Sequence, residues 1–158
     1  MALQVRRVIT GHDASGRAIV HIDELCRNTS VGRPGVTGIN VWTTEGFPAN
    51  NDGTDDAGLR KVGTTIPNGT IFRILEFAPG LAPRNHRTDS IDYIVVLSGE
   101  IDMELDDTVV HLKAGDVMVQ RGTIHNWVNH GPEACLLAVI LIAAKPVEAG
   151  GKTLNAVG

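Results

Sequence analysis

From Thr70 to Ile142 the chain is cut into short apolar runs by turn residues, at a spacing that leaves no room for a helix. "TIFRILEF" stops at "APG", "DYIVVL" at "SGE", "IDMEL" at "DD", and "TVVHL" at "KAG". "DVMVQ" stops at "RG" and "TIHNWVN" at "HGPE", before "ACLLAVILI" closes the series. Gly, Pro, Asn and Asp end strands because they accept the backbone angles that turns require. In "IDMEL", apolar Ile101, Met103 and Leu105 alternate with Asp102 and Glu104, the period of a strand buried on one face. No amphipathic 3.6-residue period persists for three turns. Seven such runs at regular spacing imply an all-β sandwich or barrel.

Upstream, Val5–Thr10 and Ala18–Ile22 are β-type runs joined through "HDASG", whose Asp13, Ser15 and Gly16 predict a hairpin. "INVWTTE", Ile39–Glu45, is a further strand candidate, expected with the hairpin to extend one sheet or a partner's sheet. The stretch 46–69 collects Gly, Pro, Asn and Asp without apolar period and reads as a long loop. The 158 residues form one domain: N-terminal strands and loop (1–69), a barrel core (70–144) and a Gly-rich tail (145–158) expected to be loose or packed on a partner.

A net charge of −4 without a basic stripe argues against nucleic acid. "CLLAVILIAA" is about half the ~20 apolar residues a membrane helix needs. No basic start with an apolar core marks a secretory signal. Cys26 and Cys135 show neither metal spacing nor a disulfide framework, so a cytoplasmic location is the expectation.

The segment Gly80–Asn129 resembles the cupin superfamily in two linked motifs. Gly80, five residues, His86, then Asp92 and, after six residues, Gly99 keep the frame of the first; Thr88 stands at its second histidine and Asp92 at its glutamate. Gly122, His125 and Asn129 keep the second half of the other motif; Arg121 departs from it, and the stretch from Gly115 is one residue short. The resemblance implies a double-stranded β-helix of the jelly-roll kind with an N-terminal hairpin extension, and commonly a homodimer. It also implies a divalent metal, Fe, Mn, Zn or Ni, held by His86, Asp92 and His125. Two imidazoles and a carboxylate on one side of an ion leave positions open for substrate, whereas Thr88 is a weak ligand better suited to orienting one. Asp92 has two other uses, capping a turn or pairing with Arg87.

Other polar residues are candidates for the substrate pocket. Alternation in "FRILEF" puts Arg73, Leu75 and Phe77 on one face; inward, Arg73 holds a carboxylate, and outward it is a surface charge. His125, Trp127 and Asn129 share a face, making Trp127 either a pocket wall or core packing. Gln120 lies at a strand end near the mouth, and Tyr93 falls outside. Ser90 and Ser98 have no base neighbour in sequence. The expected function is a metal-dependent enzyme acting on a small oxygenated or carboxylated metabolite, as an oxygenase, decarboxylase, isomerase or dehydratase. The alternatives are a metal-free cupin using His86 or His125 as acid–base, and a non-catalytic small-molecule binder.

Overall fold

The computed structural model describes residues 3–158, and all seven runs downstream of Thr70 form strands. They are β5 (Gly69–Phe77), β6 (Ser90–Ser98), β7 (Glu100–Glu104), β8 (Val109–Lys113), β9 (Val117–Arg121), β10 (Asn126–Val128) and β11 (Cys135–Ala143). Ahead of them stand β1 (Arg6–His12), β2 (Ala18–Leu25), β3 (Thr29–Arg33) and β4 (Val36–Glu45). A six-stranded sheet in the order β3-β4-β5-β11-β6-β9 faces a three-stranded sheet, β10-β7-β8. This is the expected jelly-roll sandwich. No helix among the described residues is long and apolar enough to cross a membrane.

The alternation read from sequence decides what lies between the sheets. Ile71 and Phe77 of β5, Ile94 of β6, Ile101 of β7 and Leu137 of β11 point inward and are buried together. The odd-numbered face of β11 fills this core, while Ala138 on its other face packs with Ile74, Ile39 and Val41 in a second cluster outside the large sheet. Leu3 and Cys26 cover that outer cluster, so the N-terminal segment seals the back of the sheet.

Three features differ from expectation. The hairpin β1–β2 forms a two-stranded sheet of its own and does not extend the barrel, whereas β4 does. Strand β3 escapes the sequence pattern because it is a mostly exposed edge with no apolar alternation; it turns back into β4 through Gly35 at φ 83°. The tail is ordered: β12 (Val147–Ala149) and β13 (Lys152–Leu154) pair, and Val157 exchanges backbone hydrogen bonds with Arg87 at 2.8 and 3.0 Å. Gly122 admits this hairpin, since at φ 61° a Cβ there would stand 2.8 Å from Val147 Cγ2.

Loop 46–69 runs without strands and contains one 3-10 turn, Ala57–Leu59. It is stapled rather than free. The guanidinium of Arg7, 3 % exposed, reaches from β1 to Asp56 of the loop and Glu24 of β2, with Nη1 also donating to the Val41 carbonyl at 3.2 Å. Replacing Arg7 with Leu strands two carboxylates and a carbonyl. The expected loss is about 2–3 kcal/mol, below the ~3–5 of a fully buried pair because Glu24 and Asp56 keep some water. Urea denaturation of R7L against the parent protein measures it.

Candidate active site

The two motif histidines meet at a single antiparallel bridge. His86 N donates to the His125 carbonyl and His125 N to the His86 carbonyl, each at 3.0 Å, so the rings are forced side by side with centroids 4.1 Å apart. Nδ1 of His86 lies 3.1 Å from the Arg84 carbonyl, and Nδ1 of His125 lies 3.0 Å from the Thr123 carbonyl. A carbonyl only accepts, so each Nδ1 carries the proton, and the neutral ring keeps its lone pair on Nε2. Burial depresses both imidazolium pKa values, against the pull of those carbonyls; the His125 value is pushed down to about 4, with His86 and Arg84 adding to the effect. Both rings are therefore neutral bases at pH 7.

They line a cavity of about 550 Å³ between the sheets. The register of the large sheet lays a polar row across its inner wall. Asn40 of β4 pairs with Arg73 of β5, and Asp92 of β6 pairs with Gln120 of β9. Between the two pairs runs apolar β11, with Val139 opposite Arg73 and Leu141 opposite Asp92. Arg73 and Asp92 thus stand two strand spacings across and two residues along from one another, roughly 12 Å between backbones. Trp127 closes the far wall, edge-on to His125 with ring centroids 6.0 Å apart.

Arg73 faces inward, settling the choice left by alternation: it lines the cavity, and its Nη2 donates to the Gly63 carbonyl of the long loop at 3.0 Å. Burial pushes the Asp92 carboxyl above its usual range, opposed by a 2.6 Å hydrogen bond from Ser90 Oγ and by the charge of Arg73. Ser90, which lacks a base neighbour in sequence, therefore has one in space. Its hydroxyl also meets Thr88 Oγ1 at 2.8 Å, so Thr88, Ser90 and Asp92 form one hydrogen-bonded chain. Thr88, Gln120 and Trp127 line the cavity, and Tyr93 is half-exposed outside it.

Asn129 does not line the cavity. It is fully buried, donates through Nδ2 to the Phe77 and Glu133 carbonyls at 2.9 and 2.8 Å, and accepts from Gly131 N at 2.9 Å. Those bonds use up its amide, which makes it a brace for the turn after β10. Sequence reading also passed over Arg84, Arg33, Asn40 and the loop segment at Gly63, all of which line the cavity. Arg84 was within reach, since it lies two residues before His86. Arg33 and the loop carry no local signal, because only the tertiary fold lays them over the barrel mouth.

The donor set fits a metal ion in part. Two imidazoles with Nδ1–H bound to carbonyls have the orientation that ligand histidines use. Among the described residues, however, no three His, Cys, Asp or Glu side chains gather around one point. His86, Asp92 and His125 share a cavity but not a coordination shell, with Asp92 tied to Ser90 and a threonine in place of the further imidazole.

The family described as Cupin domain matches residues 73–141. Phomopsin biosynthesis cluster protein C' of Diaporthe leptostromiformis is 39% identical over 160 aligned positions, covering 96% of this chain and 85% of that protein. The Cupin-domain-containing oxidoreductase fogC of Aspergillus ruber is 30% identical, covering 96% of this chain and 79% of that protein. The chain belongs to the cupin superfamily. Among solved structures, KdgF from Halomonas sp. superposes with a TM-score of 0.51 over 73% of this chain and 86% of that one; at 18% identity it speaks to fold alone.

Burial of His125 makes stability depend on pH. Its native pKa of about 4 lies below the ordinary 6.5, so the unfolded chain takes up more protons between those values. This contribution is full above pH 6.5 and is lost as pH falls through 4, to the extent of about 3 kcal/mol. Asp92, shifted upward, acts in the opposite direction in parent and variant alike. Comparing urea midpoints at pH 7 and pH 4.5 should show a shallower loss in His125→Gln than in the parent protein.

Proposed function

We propose that this cupin is a small-molecule enzyme working by acid–base chemistry on an oxygenated or carboxylated metabolite, an isomerase or dehydratase in type. The carrying observation is the pair of neutral imidazoles held side by side in one cavity, with their Nδ1 protons bound and their Nε2 lone pairs free. One Nε2 takes a proton from a carbon beside a carbonyl, and the C–H electron pair becomes the enolate. The imidazolium returns that proton at a neighbouring carbon, or to a departing hydroxyl that leaves as water. Its neighbour stays neutral, because two adjacent cations repel. Arg73 holds an acidic group of the substrate, and the apolar walls strengthen that attraction by keeping water out.

A panel of small keto acids in deuterium oxide tests this by proton NMR in the presence of EDTA. The expected result is protein-catalysed exchange of the proton beside the carbonyl, falling about 100-fold or more in His125→Gln or His86→Gln. No exchange across the panel, or exchange that appears only with added iron, manganese, zinc or nickel, would overturn the reading.

A second reading is supported by the relatives named as oxidoreductases in Aspergillus ruber and Hypocrea virens. In that case oxygen consumption or reduction of a supplied acceptor accompanies turnover of the same substrates. We also propose the homodimer, supported by exposed Tyr93, Val117 and Val119 on the outer face of β6 and β9. Light scattering should give twice the chain mass of 16.8 kDa, and a single chain mass would sink it.

A further inference from the structure

The charges lining the cavity do not balance. Arg33, Arg73 and Arg84 line it, against one carboxylate, Asp92. Among the described residues none of the three arginines is in a salt bridge. Their guanidiniums hydrogen-bond to backbone carbonyls instead: Arg33 to Ala82, Arg73 to Gly63 and Arg84 to Gly158. The buried Nε of Arg73 has no partner at all, nor does Oε1 of Gln120 on the same wall. Keeping three guanidiniums around a partly closed cavity with one acid between them is costly unless an anion joins them.

The arginines fall into two separate places. Arg73 sits mid-strand in β5, beyond β11 from Asp92. Arg33 pairs with Val36, which pairs with Phe77, so Arg33 is two strand spacings across and four residues along from Arg73. That sets their backbones roughly 16 Å apart, a span that two inward-reaching arginine side chains shorten to the length of a small ligand. Arg84 belongs with Arg33, whose guanidinium donates to the Ala82 carbonyl two residues before Arg84, and both line the cavity. The histidine pair and apolar Leu75, Phe77 and Trp127 line the same cavity.

We propose that the cavity takes a dianionic small molecule, one acidic group held by Arg73 and the other by Arg33 and Arg84, with an apolar or unsaturated middle set against His86 and His125. The inference rests on the cavity being the functional site, as proposed above, but not on the acid–base step. Bidentate arginine–carboxylate pairs supply both affinity and orientation, and two fixed ends place the middle of the ligand at the imidazoles.

Isothermal titration with model anions, in EDTA at pH 7.5, tests this directly. Isophthalate or adipate should bind at least tenfold more tightly than benzoate, and dimethyl isophthalate should not bind. Arg33→Gln and Arg84→Gln, both at half-exposed positions, should bring the dianion down to the benzoate level and leave benzoate unchanged. Arg73→Gln should weaken both. His125→Gln should retain dianion binding while losing proton exchange. Dianion binding without exchange in the parent protein would therefore sustain this inference and remove the acid–base reading. The inference fails if the dianions bind no better than benzoate, or if Arg33→Gln and Arg84→Gln variants with parental melting temperatures bind as the parent protein does.

Discussion

Strand β11 is apolar on both faces, and a strand of that kind has to be covered on both. Its inward side chains, Cys135, Leu137, Val139 and Leu141, are all buried in the core between the sheets. Its outward Ala138 obliges the chain to bring Leu3, Cys26, Ile39 and Val41 around the back of the sheet. Much else follows from this requirement. The N-terminal segment lies where it does because β11 and β5 leave an apolar surface for it. The polar row of the cavity is split into two pairs because β11 runs between them and contributes nothing that ionises.

That split shapes the chemistry. Asp92 and Arg73 feel one another's charge, yet they form no salt bridge across the intervening strand. A direct pair there would cancel both charges and leave nothing to address a ligand. Kept apart, each remains available, while Ser90 and the Gly63 carbonyl stop them from being wholly unsatisfied. The imidazoles are handled differently: their own backbone neighbourhood supplies carbonyls for Nδ1, so they need no carboxylate partner to fix their tautomers. A site of this type sets basicity by burial rather than by paired charge.

The fold was legible because strand period and turn residues act over a few positions. "IDMEL" and "FRILEF" specify their buried faces without reference to the rest of the chain, and the motif glycines mark where strands must turn. His86, His125, Asp92, Thr88, Trp127 and Gln120 could be assigned to one cavity on the strength of the barrel frame. What stayed hidden depends on distant segments. β3 is exposed and unpatterned, the tail hairpin owes its place to a glycine that leaves room for Val147, and the Arg7 staple joins residues 49 positions apart. Asn129 misled for a related reason: alternation gives the face of a side chain but not whether backbone carbonyls have already claimed it.

Loop 46–69 gives the long-range staple a wider meaning. The shared cupin segment runs from residue 73 to 141, yet Arg33, Asn40 and Gly63 stand outside it while lining the same cavity. The inherited barrel supplies the histidines and the acid; the preceding segment, fastened through Arg7 and Asp56, supplies much of the wall that a ligand meets. The wall of the cavity is thus built from two stretches of one chain, the barrel segment with Arg73 and Arg84 and the earlier strands and loop with Arg33, Asn40 and Gly63. A change in the earlier stretch can therefore reshape the cavity while every residue of the barrel segment stays as it is.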